Sequence, residues 1–423
     1  MGIRWRIVTL LFFATTINYM DRQIFGILGP TLQEEIGWNE IQYGYIVASF
    51  TFAYAFGYLF SGRFIDWIGV KKGFAWSVGG WSLAAMGHAL ASTPVGFGIA
   101  RVFLGITEGG MFPGAVKTVS EWFPKKERSF ANGIFNSGSN VGVVAAALLV
   151  PFLTLRYGWR MAFIVQGSIG FVWLLFWMKY RNPSEHPTIS KEELELITSD
   201  NAAEKKELIP FKTLLGQKRA WACAIGKLMT DPVWWFYLYW LPKYLLKEHG
   251  VTLGSLAAPL VVIYVVADVG SVAGGWLSRY FVNRGKTHAE ARRLAMLICA
   301  LCVLPTALLP LVTSVWQAVA LVSLAAAAHQ GWSANVYALP SDMYPSSSVA
   351  SLVGFGGFMG SMMSMLFQMA TGHYLEWSGN NYAPVFIFCG IAYIAAWFVV
   401  RWIVGSVEAE GNLTPPRAVQ GLS

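Results

Sequence analysis

At 423 residues the chain is 55% hydrophobic and 15% aromatic, and only 13% of it is charged, well below the roughly 25% charge of a soluble domain. That composition sets aside a soluble globular enzyme and points to a polytopic membrane protein. No basic stripe with interleaved aromatics lies outside the apolar runs, so the net charge of +8 reads as membrane orientation, and nucleic acid is not an expected partner.

A spanning helix needs about 20 predominantly apolar residues. Twelve such runs follow one another at 5–28, 43–64, 73–92, 95–119, 130–153, 159–180, 220–246, 254–281, 292–312, 315–339, 350–373 and 383–405. The first reads as a retained helix and not a signal peptide, since it is long, contains Asp21-Arg22 and lacks a small-residue cleavage pattern. Cations gather at every second connection: Arg4 and Arg6, then Arg63, Lys71 and Lys72, then Lys125, Lys126 and Arg128, then the loop from Lys179 to Arg219, then Arg279, Arg284, Lys286, Arg292 and Arg293. The alternate connections are nearly free of them, apart from Arg156, Arg160, Lys243 and Lys247. The positive-inside rule then predicts both termini in the cytoplasm.

The chain repeats itself. Ser120-Glu121-Trp122-Phe123-Pro124 and Ser341-Asp342-Met343-Tyr344-Pro345 stand 221 residues apart, as do Gly133 and Gly354, and a weaker echo links Gly62 with Gly275 at 213. The expected organisation is all-α: a six-helix bundle over 1–180, a cytoplasmic linker over 181–219, a second six-helix bundle over 220–405 and a cytoplasmic tail over 406–423. Ser190 and Glu193 predict a capping box on a short linker helix. Transporters with parallel halves bind substrate between them near the midplane.

Asp21 and Arg22 lie inside the first apolar run, where each charge costs roughly 2.5–3.5 kcal/mol at the bilayer centre. Such residues face a bundle interior or a wet cavity and mark a substrate or proton path, the alternative being a structural salt bridge. Arg101 and Glu108 are two helical turns apart on one face, so Glu108 is a candidate proton carrier or the member of a fixed ion pair with Arg101 or Lys117. Arginine suits carboxylate recognition through its planar fork; Lys227 is the next candidate for that role. Tyr19, Tyr54, Asn136, Trp235, Tyr237, Tyr239, Gln330, Trp332, Ser333 and Asn335 offer the donors, acceptors and flat faces that a hydroxyl-rich ligand needs. At the 221-residue offset Glu108 corresponds to His329, which is either pH-responsive or a neutral packing residue. Cys299-x-x-Cys302 lacks a second ligand pair and lies in an apolar run, so no metal is expected. Gly356-x-x-x-Gly360 reads as close helix packing.

The loop Gly62-Arg63-Phe64-Ile65-Asp66-Trp67-Ile68-Gly69-Val70-Lys71-Lys72 resembles the signature loop of the major facilitator superfamily, and with twelve helices in two related halves the chain is similar to that family. Asn18-Tyr19-Met20-Asp21-Arg22-Gln23, Arg101 to Gly109, Trp234 to Pro242 and His329 to Asn335 resemble the anion:cation symporters, and within them the proton-coupled hexuronate transporters. The resemblance implies that Asp21 and Glu108 exchange protons, that Arg22 receives the substrate carboxylate, that Arg101 organises the network, and that Gly62, Arg63 and Asp66 take part in gating. Where galactonate-transporting relatives present an asparagine on helix eleven, this chain has Gly354-Phe355-Gly356-Gly357-Phe358-Met359-Gly360, which argues against an open-chain aldonate.

The expectation is a non-enzymatic, monomeric secondary transporter of a bacterial inner membrane that imports a small organic anion, a hexuronate such as glucuronate or galacturonate, with protons as coupling ion and no cofactor. The alternatives are an exchanger or sodium symporter for another organic anion and, from a different class, a membrane-embedded transferase, for which the sequence shows no histidine–carboxylate cluster.

Overall fold

The computed structural model describes residues 2–198, 211–344 and 346–409, and among the described residues all regular structure is helical. Each of the twelve predicted runs is a pass. In chain order they are α1 (Ile3–Ile36), α2 (Glu40–Ile68), α3 (Val70–Gly87), a broken pass of α4 (Pro94–Glu108) and α5 (Met111–Trp122), α6 (Lys125–Tyr157) and α7 (Trp159–Trp177). Two linker helices follow, α8 (Lys191–Thr198) and α9 (Phe211–Leu215). The remaining passes are a broken one of α10 (Ala220–Tyr239) and α11 (Leu241–Glu248), then α12 (Ala257–Asn283), α13 (His288–Val303) with a 3-10 continuation Leu304–Leu311, α14 (Val315–Met343), α15 (Ser346–Trp377) and α16 (Ala383–Ala409).

Eight of these passes are long and apolar enough on their own to cross a membrane; α1, α3, the α10–α11 pass and α14 fall below that hydropathy. Three of the four less apolar passes carry clusters of buried polar residues: Asn18, Asp21, Arg22 and Gln23 on α1, Lys227 and Asp231 on α10, His329 and Asn335 on α14. A low hydropathy here marks an inward-facing polar stripe and not a surface helix.

Within the first six passes α1 packs on α6, α2 on α4 and α3 on α7; within the last six α12 packs on α14 and α10 on α16. Across the two groups, α15 lies on α2, α12 on α6, and α1 on α10 and α11. A Cβ on Gly57 would collide with the backbone of Ile106, and one on Gly270 with that of Ala327. Gly57 and Gly270 are 213 residues apart and Ile106 and Ala327 are 221 apart, the same two offsets that the sequence echoes carry.

The ends of the two groups away from the linker are tied together. Pro242 has no N–H, so the carbonyl of Leu238 loses its helical donor and accepts instead from Gln23 Nε2 of α1 at 3.4 Å. The next carbonyl, of Tyr239, accepts from the Tyr43 hydroxyl at 2.7 Å. Lys243 forms a buried ion pair with Glu40, whose backbone N–H donates to Glu376 at 2.9 Å. Arg160 pairs with Glu35 at 3.0 Å. Two of the cations that break the alternating charge pattern, Lys243 and Arg160, are thus neutralised by carboxylates at the same end.

Local signals start the helices. Asn39 and Thr287 close capping boxes with Gln42 and Glu290. Ser190 accepts the Glu193 N–H at 3.1 Å as expected, but the Glu193 carboxylate does not return to complete that box. It accepts instead from the backbone N–H groups of Ile3 and Arg4, each at 3.1 Å, two of the four donors that the start of α1 leaves unpaired. The expectations for the linker at 199–210 and the tail at 410–423 lie outside the described residues.

Candidate functional site

Arg22 on α1 is buried where α1 meets α2, α4 and α10. Its Nε and Nη2 donate to Glu108 Oε2 at 3.1 and 3.0 Å, and Nη2 lies 3.3 Å from Asn18 Oδ1. Its Cζ stands 4.6 Å from the rings of both Tyr19 and Tyr54, 5.3 Å from Trp235 and 5.5 Å from Phe50. Desolvated cation–ring contacts of this kind contribute about 2 kcal/mol each, so the guanidinium is held in place from both bundles. Glu108 ends α4, and the Gly109-Gly110 break that follows lets the chain press against the backbone of Gly57 and Tyr58, which places the carboxylate at the α2–α4 contact. The partner of Glu108 is therefore Arg22 from another helix, and not Arg101 or Lys117, the two partners that the sequence suggests.

Arg101, two turns before Glu108 on α4, is fully buried. It sits 4.4 Å from the ring of Phe25, 4.8 Å from Phe50 and 5.1 Å from Tyr239, and none of its guanidinium nitrogens has a hydrogen-bond partner among the described residues. Asp21 is 1% exposed, and neither of its carboxyl oxygens has such a partner. The core of the first bundle thus holds one engaged charge pair and two charged side chains without hydrogen bonds among the described residues, and such buried unpaired groups call for a physical account.

The second bundle contributes its own cluster. Lys227 Nζ lies 2.8 Å from Asp231 Oδ2 and 2.9 Å from the Tyr337 hydroxyl. Asp231 is a functional candidate that sequence reasoning missed, though an acid four residues after Lys227 inside an apolar run is a legible signal. His329 stacks on Trp234 at 4.7 Å, is hydrogen-bonded to Tyr393, and lies 3.3 Å from Ser333 Oγ, a fully engaged packing arrangement.

The other sequence candidates divide. Tyr19, Tyr54 and Trp235 join Arg22 as described. Tyr237 turns to Phe236, 6.0 Å between centroids, and Trp332 is completely buried edge-on to Tyr393 at 5.5 Å, so both belong to the packing of the second bundle. Asn335 donates to the carbonyls of Gly274 and Gly331 at 3.1 and 2.8 Å and fastens α14 to α12. Ser333 serves His329, Gln330 is half-buried, and Asn136 is exposed on α6; none of the three contacts the Arg22 cluster in the described bonds. A Cβ on Gly62 would lie 4.0 Å from that of Pro113, Arg63 is exposed, and the side chain of Asp66 lies outside the described residues. Tyr239, expected among the ligand contacts, faces Arg101 instead; Gln23 and Phe50 were not singled out from the sequence, Gln23 although it adjoins Asp21-Arg22, Phe50 because it looks like any other aromatic in an apolar helix.

Buried charges at the contact of two six-pass helical groups define a membrane carrier. The sequence profile of the Major Facilitator Superfamily matches residues 11–367, and the chain belongs to that family of transporters. It is 29% identical over 408 residues to the hexuronate transporter of Escherichia coli (strain K12), covering 95% of this chain and 94% of the relative. It is 31% identical over 331 residues to the galacturonate transporter of Dickeya chrysanthemi, covering 77% and 96%. A crystal structure of a D-xylose-proton symporter superposes with a TM-score of 0.73 at 14% identity, covering 93% of this chain and 96% of that one, a likeness of fold.

Proposed function

We propose that this protein imports a sugar acid, a hexuronate such as glucuronate or galacturonate, by proton symport and alternating access across a bacterial inner membrane, with both termini and the linker cytoplasmic. The observation that carries this reading is the Arg22–Glu108 pair inside its aromatic walls. A substrate carboxylate and Glu108 compete for the same guanidinium. A proton on Glu108 removes the competing charge, so protonation and anion binding favour each other, which is the coupling a symporter requires. Asp21 is the second proton site: an ionised carboxylate buried without a partner costs several kcal/mol, and a proton relieves that cost. Tyr19, Tyr54 and Trp235 supply hydroxyls and flat faces to the sugar ring.

Support for the substrate class comes from the two relatives, whose names specify hexuronate and galacturonate, and from the match between a carboxylate and the Arg22 fork that a proton on Glu108 would free. Gln23, Tyr43 and the Glu40–Lys243 pair close the ends away from the linker, and in this reading rocking of the two bundles would expose the Arg22 site to one side of the membrane and then to the other. Gating through Gly62, Arg63 and Asp66 belongs to the same reading.

The test is uptake of labelled glucuronate into proteoliposomes under an imposed pH gradient. Accumulation that a protonophore abolishes and sodium does not restore is expected. Accumulation driven by sodium alone, or conversion of the label to a new product, overturns the reading.

A further inference from the structure

We propose that Lys227, Asp231 and Tyr337 form the second half of the substrate site and set its charge preference: they receive the hydroxyl-bearing end of a sugar monoacid and reject a second carboxylate. This rests on the sugar-acid reading above and names the end of the ligand that Arg22 does not touch.

The cluster sits where α10, α14 and α15 meet. Lys227 and Asp231 are 6% and 8% exposed, whereas Tyr337, which bonds the ammonium at 2.9 Å and offers it a ring face at 4.4 Å, is 44% exposed. The ion pair is therefore buried while its tyrosine partner reaches an exposed edge. Two glycines of α15 make the room: a Cβ at Gly356 would come within 3.1 Å of Cys223 Sγ and 3.3 Å of Lys227 Cδ, and one at Gly360 would overlap the Asp231 carboxylate. The neighbouring Gly357 faces the ring of Tyr58 on the first bundle. Tyr58 stands 6.1 Å from Tyr54, and Tyr54 is 4.6 Å from the Arg22 guanidinium. A short row of tyrosines thus joins the two charged centres across the contact between the bundles.

The chemistry differs at the two ends. Arg22 can be released from Glu108 by a proton, which leaves a cation for a carboxylate. Lys227 stays compensated by Asp231 on its own helix, so this end presents a donor, an acceptor and a phenol with no net charge. Adjacent hydroxyls fit such a set, because one can accept from the ammonium while the next donates to the carboxylate. A second carboxylate would instead lie against Asp231, whose charge Lys227 already answers, and like-charge juxtaposition of this kind is a standard source of discrimination. A purely structural ion pair would leave the choice of ligand untouched.

The experiment is counterflow of labelled glucuronate in proteoliposomes of the full chain, with unlabelled glucuronate, galactarate and galactarate monomethyl ester as competitors. In the unmodified protein galactarate should compete about tenfold more weakly than glucuronate, and its monomethyl ester, with the second charge removed, within about threefold of it. Asp231→Asn should close the gap between galactarate and the ester. Equal competition by galactarate and its ester in the unmodified protein overturns the proposal, and that comparison needs no variant to fold. An unchanged galactarate-to-ester ratio in an Asp231→Asn protein that still counterflows glucuronate overturns it as well. Absence of any glucuronate counterflow in the unmodified protein is a different result, which refutes the sugar-acid reading itself.

Discussion

Arg22 directs two nitrogens onto one oxygen of Glu108, Oε2, at 3.0 and 3.1 Å, and leaves Oε1 without a donor. This is a converging contact and lacks the two parallel bonds of a full guanidinium–carboxylate fork. A ligand carboxylate offering both oxygens can therefore make an arrangement with Arg22 that Glu108 does not, which is how a buried ion pair remains exchangeable.

Replacement of Arg22 should show that geometry and charge are both required. Hydrogen bonds to charged groups contribute about 1.5–3 kcal/mol each, so Arg22→Ala should weaken glucuronate binding by roughly tenfold to a few hundredfold. Arg22→Lys should be nearly as damaging, because a point charge has no fork. Isothermal titration in detergent measures both; an unchanged affinity in Arg22→Ala would place the carboxylate elsewhere.

Glu108→Gln removes the competitor for Arg22 and cannot cycle a proton. Ligand binding should be retained or tighter and should lose its dependence on pH, while gradient-driven accumulation falls to background and counterflow at equal pH persists. Asp21→Asn should show the same split between accumulation and counterflow. In the unmodified protein apparent affinity should improve as external pH falls, since protonation of Glu108 frees the guanidinium. Full accumulation in both variants would remove the two carboxyls from the coupling mechanism.

Much of this architecture was legible in the sequence, and for definite reasons. Spanning runs are long and apolar, so their existence survives uncertainty in any single residue, and charges such as Asp21, Arg22 and Glu108 stand out because hydrocarbon opposes them. Pairing was harder to read. Arg101 and Glu108 share a helix face, yet Glu108 bonds Arg22, because partner choice depends on how α1 crosses α4. The aromatic candidates of α10 and α14 were the least legible: Tyr237 and Trp332 have the chemistry of ligand contacts, but helix rotation turns them into the second bundle, and periodicity alone does not fix that rotation. The Glu193 carboxylate went to α1 for a similar reason, since the unpaired N–H groups of a distant helix end are invisible in the local pattern.

That contact predicts a role for the linker in stability. Glu193→Ala should leave the Ile3 and Arg4 N–H groups without their acceptor and lower stability by about 0.5–2 kcal/mol, in line with loss of a helix cap. Glu193→Gln, which keeps an acceptor oxygen, should lose less. Thermal unfolding in detergent compares the two, and identical midpoints for Glu193→Ala and the unmodified protein would show that the contact contributes nothing.

Orientation has a direct test. A cysteine at Glu34, exposed near the end of α1, should react with an impermeant maleimide in intact cells, while one at Lys205 in the linker should react only after permeabilisation. The reverse pattern would invert the membrane orientation.

The Glu40–Lys243 pair closes the end of the carrier opposite the linker, and its energetics separate a lock from an incidental contact. Lys243→Met leaves the Glu40 carboxylate buried without its cation, and breaking such a pair from one side costs about 3–5 kcal/mol. The double variant Glu40→Gln with Lys243→Met removes both charges and should recover most of that loss, because a buried pair replaced as a unit is close to neutral. Because Glu40 lies on α2 and Lys243 on α11, the same single variant should also favour separation of the two groups at this end. Thr371 on α15 is 3% exposed in the closed arrangement, so a cysteine there reports the separation. Its alkylation by an impermeant maleimide should rise severalfold in Lys243→Met relative to the parent. A lower melting temperature with no change in alkylation would make the pair a structural contact, and no change in either measurement would mean that Gln23 and Tyr43 hold this end closed without it.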